Sequence, residues 1–308
     1  MSQTDSKLNR LKIRIFEIFF YTLAYFFAFL PHKIFMFFVK GLAWIFYILD
    51  KRRKKDAKIN LDFVYQDNLS EEQKKNIIKR GYLNFAFSVL DFVRLSVSSQ
   101  EKILQRVTIF NKEKADAIIP KDKPFVLITA HYGHWELISL CAGIVYGKMG
   151  NVGRFFGNSS LDYFLCKVRS RFGIQLINKQ KGMREILKFM NHGYPIGLVV
   201  DQNTAEKEGV IVDFFGKKVR HTPSASILAR RFDSVIIPVF SECNEDYSHF
   251  FIHYYDPIVV SKTDNMQQDI LEATQKQAII TQQAIEKKPE EWLWFHRRFK
   301  NQYEEIYS

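Results

Sequence analysis

Two strongly apolar runs open the chain, residues 15–30 and 34–49, parted by Pro31, His32 and Lys33. Each is 16 residues long, short of the ~20 that cross a bilayer core, and Glu17 and Lys40 interrupt them. The pattern predicts an N-terminal hydrophobic, membrane-anchoring helical segment. One helix is expected to be inserted and the other inserted or lying in the interface, where Trp44 and Tyr47 are well suited. A buried hairpin in a soluble core is the competing reading. No small-residue cleavage site follows, so a removed signal peptide is not expected.

Residues 56–98 then follow a helical pattern. Ser70-Glu-Glu-Gln73 has the form of a capping box ahead of an amphipathic stretch over 74–95. From residue 111 the texture changes to short apolar β-rich runs alternating with helical segments. Strands are expected at 125–130, 150–156, 174–177, 196–200, 210–214, 235–240 and 250–255. Helices are expected at 135–146, 161–171, 183–191, 223–232, 267–287 and 291–299. That alternation predicts an α/β fold with a mostly parallel central sheet flanked by helices. Three segments result: residues 1–50 as the membrane anchor, 51–110 as a basic juxtamembrane and helical segment, and 111–308 as the α/β core with its C-terminal helices.

Charge and composition narrow the partners. A net charge of +12 attracts polyanions, among them nucleic acid, anionic lipid and phosphorylated sugars. No zinc finger, RNP motif or Gly-rich phosphate loop occurs, which argues against nucleic acid. The basic run Lys51-Arg-Arg-Lys-Lys55 directly follows the apolar segment and suits an anionic cytoplasmic leaflet. Ten of the 29 Phe residues lie between Leu11 and Asp50. Cys141, Cys166 and Cys243 are scattered and odd in number, as in a reduced, cytosol-facing protein without a disulfide framework.

The candidate chemistry centres on His131-Tyr-Gly-His-Trp-Glu136, delivered by the strand expected at 125–130. An imidazole of near-neutral pKa can take a proton from a hydroxyl. A carboxylate on its other nitrogen fixes the tautomer and stabilises the imidazolium. Glu136, just inside the next helix, is the expected orienting group. No Ser or Cys nucleophile adjoins the box, so the activated hydroxyl is the substrate's own. His134 is a rival for the base, and a strand-end histidine also serves simply as a polar rim residue. A metal set of His131, His134 and Glu136 lacks both the H-E-x-x-H spacing and a supporting Cys-x-x-Cys.

Other residues stand at comparable ends of elements. Arg154, followed by Asn158, ends the strand after the box, and Arg171 ends the next helix; their planar forks suit phosphate or carboxylate, or a surface salt bridge. Asp201 closes the strand expected at 196–200; it could orient a base or a sugar, or simply cap a turn. Thr222 reads as the N-cap of a helix starting at Pro223.

These blocks, in order, resemble the bacterial lipid A late acyltransferases, the lauroyl/myristoyl group of the glycerolipid H-x4-D/E acyltransferase superfamily. The match runs from about Asn60 to the end of the chain. It comprises the His131–Glu136 box, Arg154-x-x-x-Asn158, Asp201-Gln202, Phe214-Phe215-Gly216 with Thr222, and the tail Trp292-Leu-Trp-Phe-His-Arg-Arg-Phe299. The resemblance implies acyl transfer from acyl carrier protein to a hydroxyacyl hydroxyl of a lipid A precursor, at the cytoplasmic side of the bacterial inner membrane. It implies His131 and Glu136 as catalytic residues. Arg154, Asn158, Arg171, Asp201, Phe215, Gly216 and Thr222 would bind substrate, with neither metal nor cofactor. An acyltransferase for a glycerophosphate or other glycolipid is the neighbouring alternative. A non-catalytic protein that binds anionic lipid is the alternative of another class.

Overall fold

The computed structural model describes residues 3–121, 123–157, 159–179 and 182–308. Four helices come first: α1 (Gln3–Phe29), α2 (His32–Leu49), α3 (Lys51–Tyr65) and α4 (Glu71–Leu95). The capping box at the start of α4 forms as the sequence predicts. The Ser70 hydroxyl accepts from the Gln73 N–H, and the Gln73 side chain accepts from the Ser70 N–H. Both apolar helices lay one face on the rest of the molecule. In α2 the buried positions are Phe35, Met36, Val39 and Ala43, a single stripe at helical spacing. Phe35 meets Phe87 of α4, and Phe20 of α1 meets Phe164. The opposite face leaves Ile15, Phe19, Phe29, Phe37, Trp44 and Leu49 exposed. Among the described residues, α2 is the one helix long and apolar enough to cross a membrane by length and composition.

The α/β part continues with α5 (Gln100–Leu104), β1 (Val107–Phe110), α6 (Lys112–Asp116), β2 (Val126–Thr129), α7 (Trp135–Tyr146), β3 (Met149–Gly153) and α8 (Ser159–Ser170). Next come β4 (Ile174–Asn178), α9 (Met183–Asn191), β5 (Ile196–Val199), β6 (Val210–Phe214), β7 (Lys217–His221) and α10 (Ser224–Phe232). The last elements are β8 (Val235–Cys243), β9 (Phe250–Tyr254), β10 (Ile258–Val259) and α11 (Met266–Lys287).

The main sheet runs β1-β9-β8-β2-β5-β3-β4, with β10 also paired to β8. Pairings from β8 through β2, β5, β3 and β4 are parallel, while β9 and β10 run antiparallel to β8. The fold is therefore the expected α/β architecture with a mostly parallel sheet flanked by helices. Strand β2 is buried along its whole length, as an apolar strand covered on both faces must be.

Three strands escape the sequence pattern. β1 and β10 are short edge segments, and β7 is Lys-Lys-Val-Arg-His, whose charges hide an alternation that buries Val219 and His221. A two-residue turn, Phe215 and Gly216, joins β6 to β7 with positive φ at both positions, the geometry that matches strand twist in a tight hairpin. The helix expected at 291–299 is absent. A short 3₁₀ turn, Pro289–Glu291, leads into extended chain, because the backbone there pairs with the loop after β2. α10 begins one residue later than expected, with Pro223 at the cap position and the Thr222 hydroxyl accepting from the Ser224 N–H at 3.4 Å.

Candidate active site

The register of two strands builds the centre of the site. Thr129 of β2 lies opposite Val199 of β5, so the residues two further on, His131 and Asp201, emerge side by side at the carboxyl edge. Ligand crevices in open α/β sheets form at that edge. His131 Nδ1–H donates to Asp201 Oδ1 at 2.9 Å, and the His131 backbone N–H donates to Asp201 Oδ2 at 3.0 Å. The imidazole side chain is 23% exposed, and among the described residues Nε2 has no protein partner. Trp135 packs edge-on against the ring, with centroids 5.3 Å apart.

The turn that follows depends on Gly133. Its φ is +56°, and an added Cβ would fall 1.9 Å from the Ser241 carbonyl oxygen of β8. Only glycine fits there.

The chain after α11 closes the site from the other side. The Trp292 indole N–H donates to Asp201 Oδ2 at 2.8 Å. Two backbone bonds tie the same segment to the histidine loop: Leu293 N–H to the His131 carbonyl, and Gly133 N–H to the Glu291 carbonyl, both at 2.9 Å. Burial alone would raise the Asp201 pKa. The neighbouring His131, its hydrogen bonds and the Trp292 N–H outweigh burial and hold the carboxyl below the ordinary range. For His131, burial works against protonation, but the adjacent Asp201 carboxylate, with a smaller contribution from Glu136, lifts the imidazole above its ordinary value.

Glu136 is not the group that holds His131. Its carboxylate accepts from the Arg169 guanidinium of α8 at 2.7 Å, and Asp201 takes the place on Nδ1 expected for Glu136. The box spacing puts Glu136 on the first turn of α7, whereas strand register brings Asp201 to the ring. His134 is no rival base in this arrangement. It is buried, its Nε2–H donates to Asp91 at 3.0 Å, and Nδ1 accepts from the Leu137 N–H at 3.4 Å. Asp91, fully buried, also binds Arg94 and Arg106. His131, His134 and Glu136 thus belong to three separate networks. Among the described residues no three His, Cys, Asp or Glu side chains converge as metal ligands.

With this geometry in view, the matches to known proteins have a clear meaning. The model of the bacterial lipid A biosynthesis acyltransferase family matches residues 3–301. The chain belongs to that family. One relative, a lipid A biosynthesis acyltransferase of Haemophilus influenzae, is 24% identical over 285 residues, covering 90% of this chain and 87% of the relative. A second H. influenzae protein of the same description is 23% identical over 66% of this chain and 63% of its own length. The lipid A biosynthesis myristoyltransferase of Escherichia coli is 22% identical over 62% of this chain and 59% of its own. The last two alignments span less than two thirds of those relatives.

The remaining candidates in this acyltransferase-family chain divide by location. Arg154 directly follows β3 at the same carboxyl edge as His131 and is exposed. Asn158 lies outside the described residues. Arg171 precedes β4, so it stands at the opposite edge. Its guanidinium is spent on the Ser96 and Ser98 carbonyls beyond the end of α4, away from the crevice it was expected to serve. Phe215 and Gly216 form the β6–β7 turn. The Phe215 N–H donates to Gln282 of α11 at 2.6 Å, and Gln275 of α11 pairs with both backbone groups of Asp213. Those two glutamines satisfy an edge strand that would otherwise lack partners. Thr222 bonds Ser224 locally.

Three residues without an assigned role in the sequence pattern stand beside the centre: Trp292, His296 and Arg298. Arg298 is buried, donates to the Gln202 and Arg220 carbonyls and to His221 Nδ1, and so braces the turn that carries Asp201. Burial lowers its pKa to about 10, which leaves it charged. In the sequence their signal was the tail's resemblance to the family pattern and its density of aromatic and basic residues, neither of which assigns a role.

Proposed function

We propose that the protein transfers a fatty acyl group from an acyl carrier protein to a hydroxyl of a lipid A precursor, with His131 as general base. The pairing of His131 with buried Asp201, which leaves Nε2 open at the carboxyl edge of the sheet, carries this reading. A ring donating Nδ1–H to a carboxylate presents Nε2 as the acceptor. That nitrogen takes the proton of the acceptor hydroxyl as its oxygen attacks the thioester carbonyl carbon. The tetrahedral adduct collapses, the C–S bond breaks, and the imidazolium returns its proton to the leaving thiolate. One ester bond replaces one thioester, so the balance needs neither metal nor cofactor. Arg154 stabilises developing negative charge or grips a phosphate of the acceptor.

Two surfaces support the partners. The apolar outer face of α1 and α2 fits the inner-membrane lipid in which such an acceptor resides, so residues 1–50 face the membrane. Between α2, α3 and α4 lies a cleft of about 770 Å³ whose wall carries seven lysines, Lys51, Lys54 and Lys79 among them, against two carboxylates, Glu71 and Glu72. That concave positive surface suits an acidic carrier protein, and residues 51–110 then receive the donor while 111–308 carry out the reaction at the cytoplasmic side.

The test is an acyl-transfer assay in detergent with acyl carrier protein bearing mixed C10–C16 chains and a Kdo-bearing tetra-acylated lipid A precursor. A product heavier by one acyl unit, absent with His131→Ala, is the expected result. Transfer to phosphatidic-acid precursors instead would assign a glycerolipid acceptor. No transfer to either would favour a lipid-binding protein without catalysis.

A further inference from the structure

The tail after α11 reaches the site at three points within three residues, two on the histidine loop and one on Asp201. The Glu291 carbonyl accepts from Gly133 N–H, the Leu293 N–H donates to the His131 carbonyl, and the indole between them reaches Asp201. We propose that Trp292 is a positioning residue for His131 that acts through Asp201.

The geometry of the carboxylate supports this. Asp201 Oδ1 serves the imidazole Nδ1–H, and Oδ2 accepts both the His131 backbone N–H and the Trp292 indole N–H. Two donors on Oδ2 fix the rotation of the carboxylate, and that rotation sets the direction in which Oδ1 meets the ring. Remove the indole donor, and every hydrogen bond left on the carboxylate comes from His131 itself, the residue being positioned. The indole itself is held firmly. Trp292 is buried, with its ring packed edge-on to Trp294 at 4.6 Å and to Phe214 at 5.9 Å. Trp294 is in turn tied to Asn60 of α3, whose amide donates to its carbonyl at 2.7 Å. Packing alone would need no N–H aimed at the catalytic carboxylate; an aromatic ring of similar shape would fill the same space.

The donor also tunes the base. A carboxylate that shares its charge with the indole pulls less strongly on the imidazolium. Loss of the indole N–H therefore concentrates charge on Asp201 and makes His131 harder to deprotonate.

The experiment compares the full-length protein with Trp292→Phe in detergent. Expected are a kcat lower by roughly tenfold or more, the scale of one hydrogen bond to a charged group, with KM little changed. The acid limb of the kcat/KM profile should move to higher pH. In parallel, NMR of ¹³C-labelled histidine follows the ring of His131, assigned by its loss in His131→Ala. Its titration should also move up. Unchanged titration would overturn the proposal whether or not kcat falls, because a merely structural role does not move it. Should the Phe variant fail to fold, 3-benzothienylalanine at position 292, which keeps the bicyclic shape but replaces N–H with sulfur, decides by the same readouts. The rate arm rests on the acyl-transfer reading, whereas the titration needs no substrate. A shifted titration in a protein that transfers no acyl group would therefore keep the positioning role and remove the reaction.

Discussion

His131 and Asp201, 70 positions apart in the chain, face each other because β2 and β5 are neighbours in parallel register. On the proposed general-base reading, that relationship gives the orienting role to Asp201 rather than Glu136. Asp201→Asn should lower kcat by roughly 10²-fold or more and shift the acid limb of the pH–rate profile downward. Glu136→Gln should shift that limb much less, because Glu136 is committed to Arg169 and acts on His131 only through space. Parallel pH–rate profiles of the two variants decide between the carboxylates.

The pH dependence of the parent protein follows from the raised pKa of His131. A general base works in its neutral form, so the rate should rise with pH through a midpoint above the ordinary histidine value of about 6.5. An acid limb at or below that value would contradict the Asp201 pairing. Chelation by EDTA should leave the profile unchanged.

Stability has a separate pH signature. Burial and the adjacent Arg298 push His221 down to about 3. Between that value and about 6.5 the unfolded chain binds a proton that the folded chain refuses, so stability should fall as pH drops below 6.5. His131 works in the opposite sense. Its raised pKa adds stability that is complete below 6.5 and lost as pH rises through the folded value, so the two windows do not coincide. Chemical denaturation in detergent across pH 4–8, repeated with His221→Gln, should show a shallower loss at acid pH in the variant.

His134 and Asp91 belong to the scaffold rather than the chemistry. Asp91→Ala would leave buried His134 and the two partly buried guanidiniums of Arg94 and Arg106 without their shared carboxylate and should cost about 2–4 kcal/mol. His134→Gln should lower the denaturation midpoint while the acid limb stays where it is. A displaced limb would return His134 to the reaction.

The outer face of α1 and α2 makes a prediction about membranes. Phe37→Glu with Trp44→Glu exchanges two exposed apolar side chains for charges. Each such side chain contributes about 1.5–3 kcal/mol when removed from water. Flotation with anionic vesicles should therefore drop by at least roughly tenfold per site, with the fold unchanged by circular dichroism.

Much of this arrangement was legible in the amino-acid pattern because β2, β5 and β8 are buried strands rich in Val, Ile and Leu. The same pattern located His131 and marked Asp201 as a polar residue at a strand end. What it withheld is non-local. The box spacing pointed to Glu136, but the partner of His131 is settled by which strands become neighbours. The tail carries aromatic and basic residues at spacings that suit a helix, yet its indoles and carbonyls answer to Asp201, Asn60 and the loop after β2. β7 was concealed by Lys217, Lys218 and Arg220, whose charges stand along one edge of a hairpin. Arg171 looked like a crevice residue until the strand order put it at the other edge.

Asn60 and the Trp294 carbonyl, joined by a hydrogen bond, are separated by 234 positions. The centre is complete only when α3 and the tail have met, a long-range closure that costs loop entropy before its contacts form. A chain whose tail has not yet docked therefore leaves the His131 carbonyl and the Asp201 carboxylate without their tail donors, however complete the sheet beneath them.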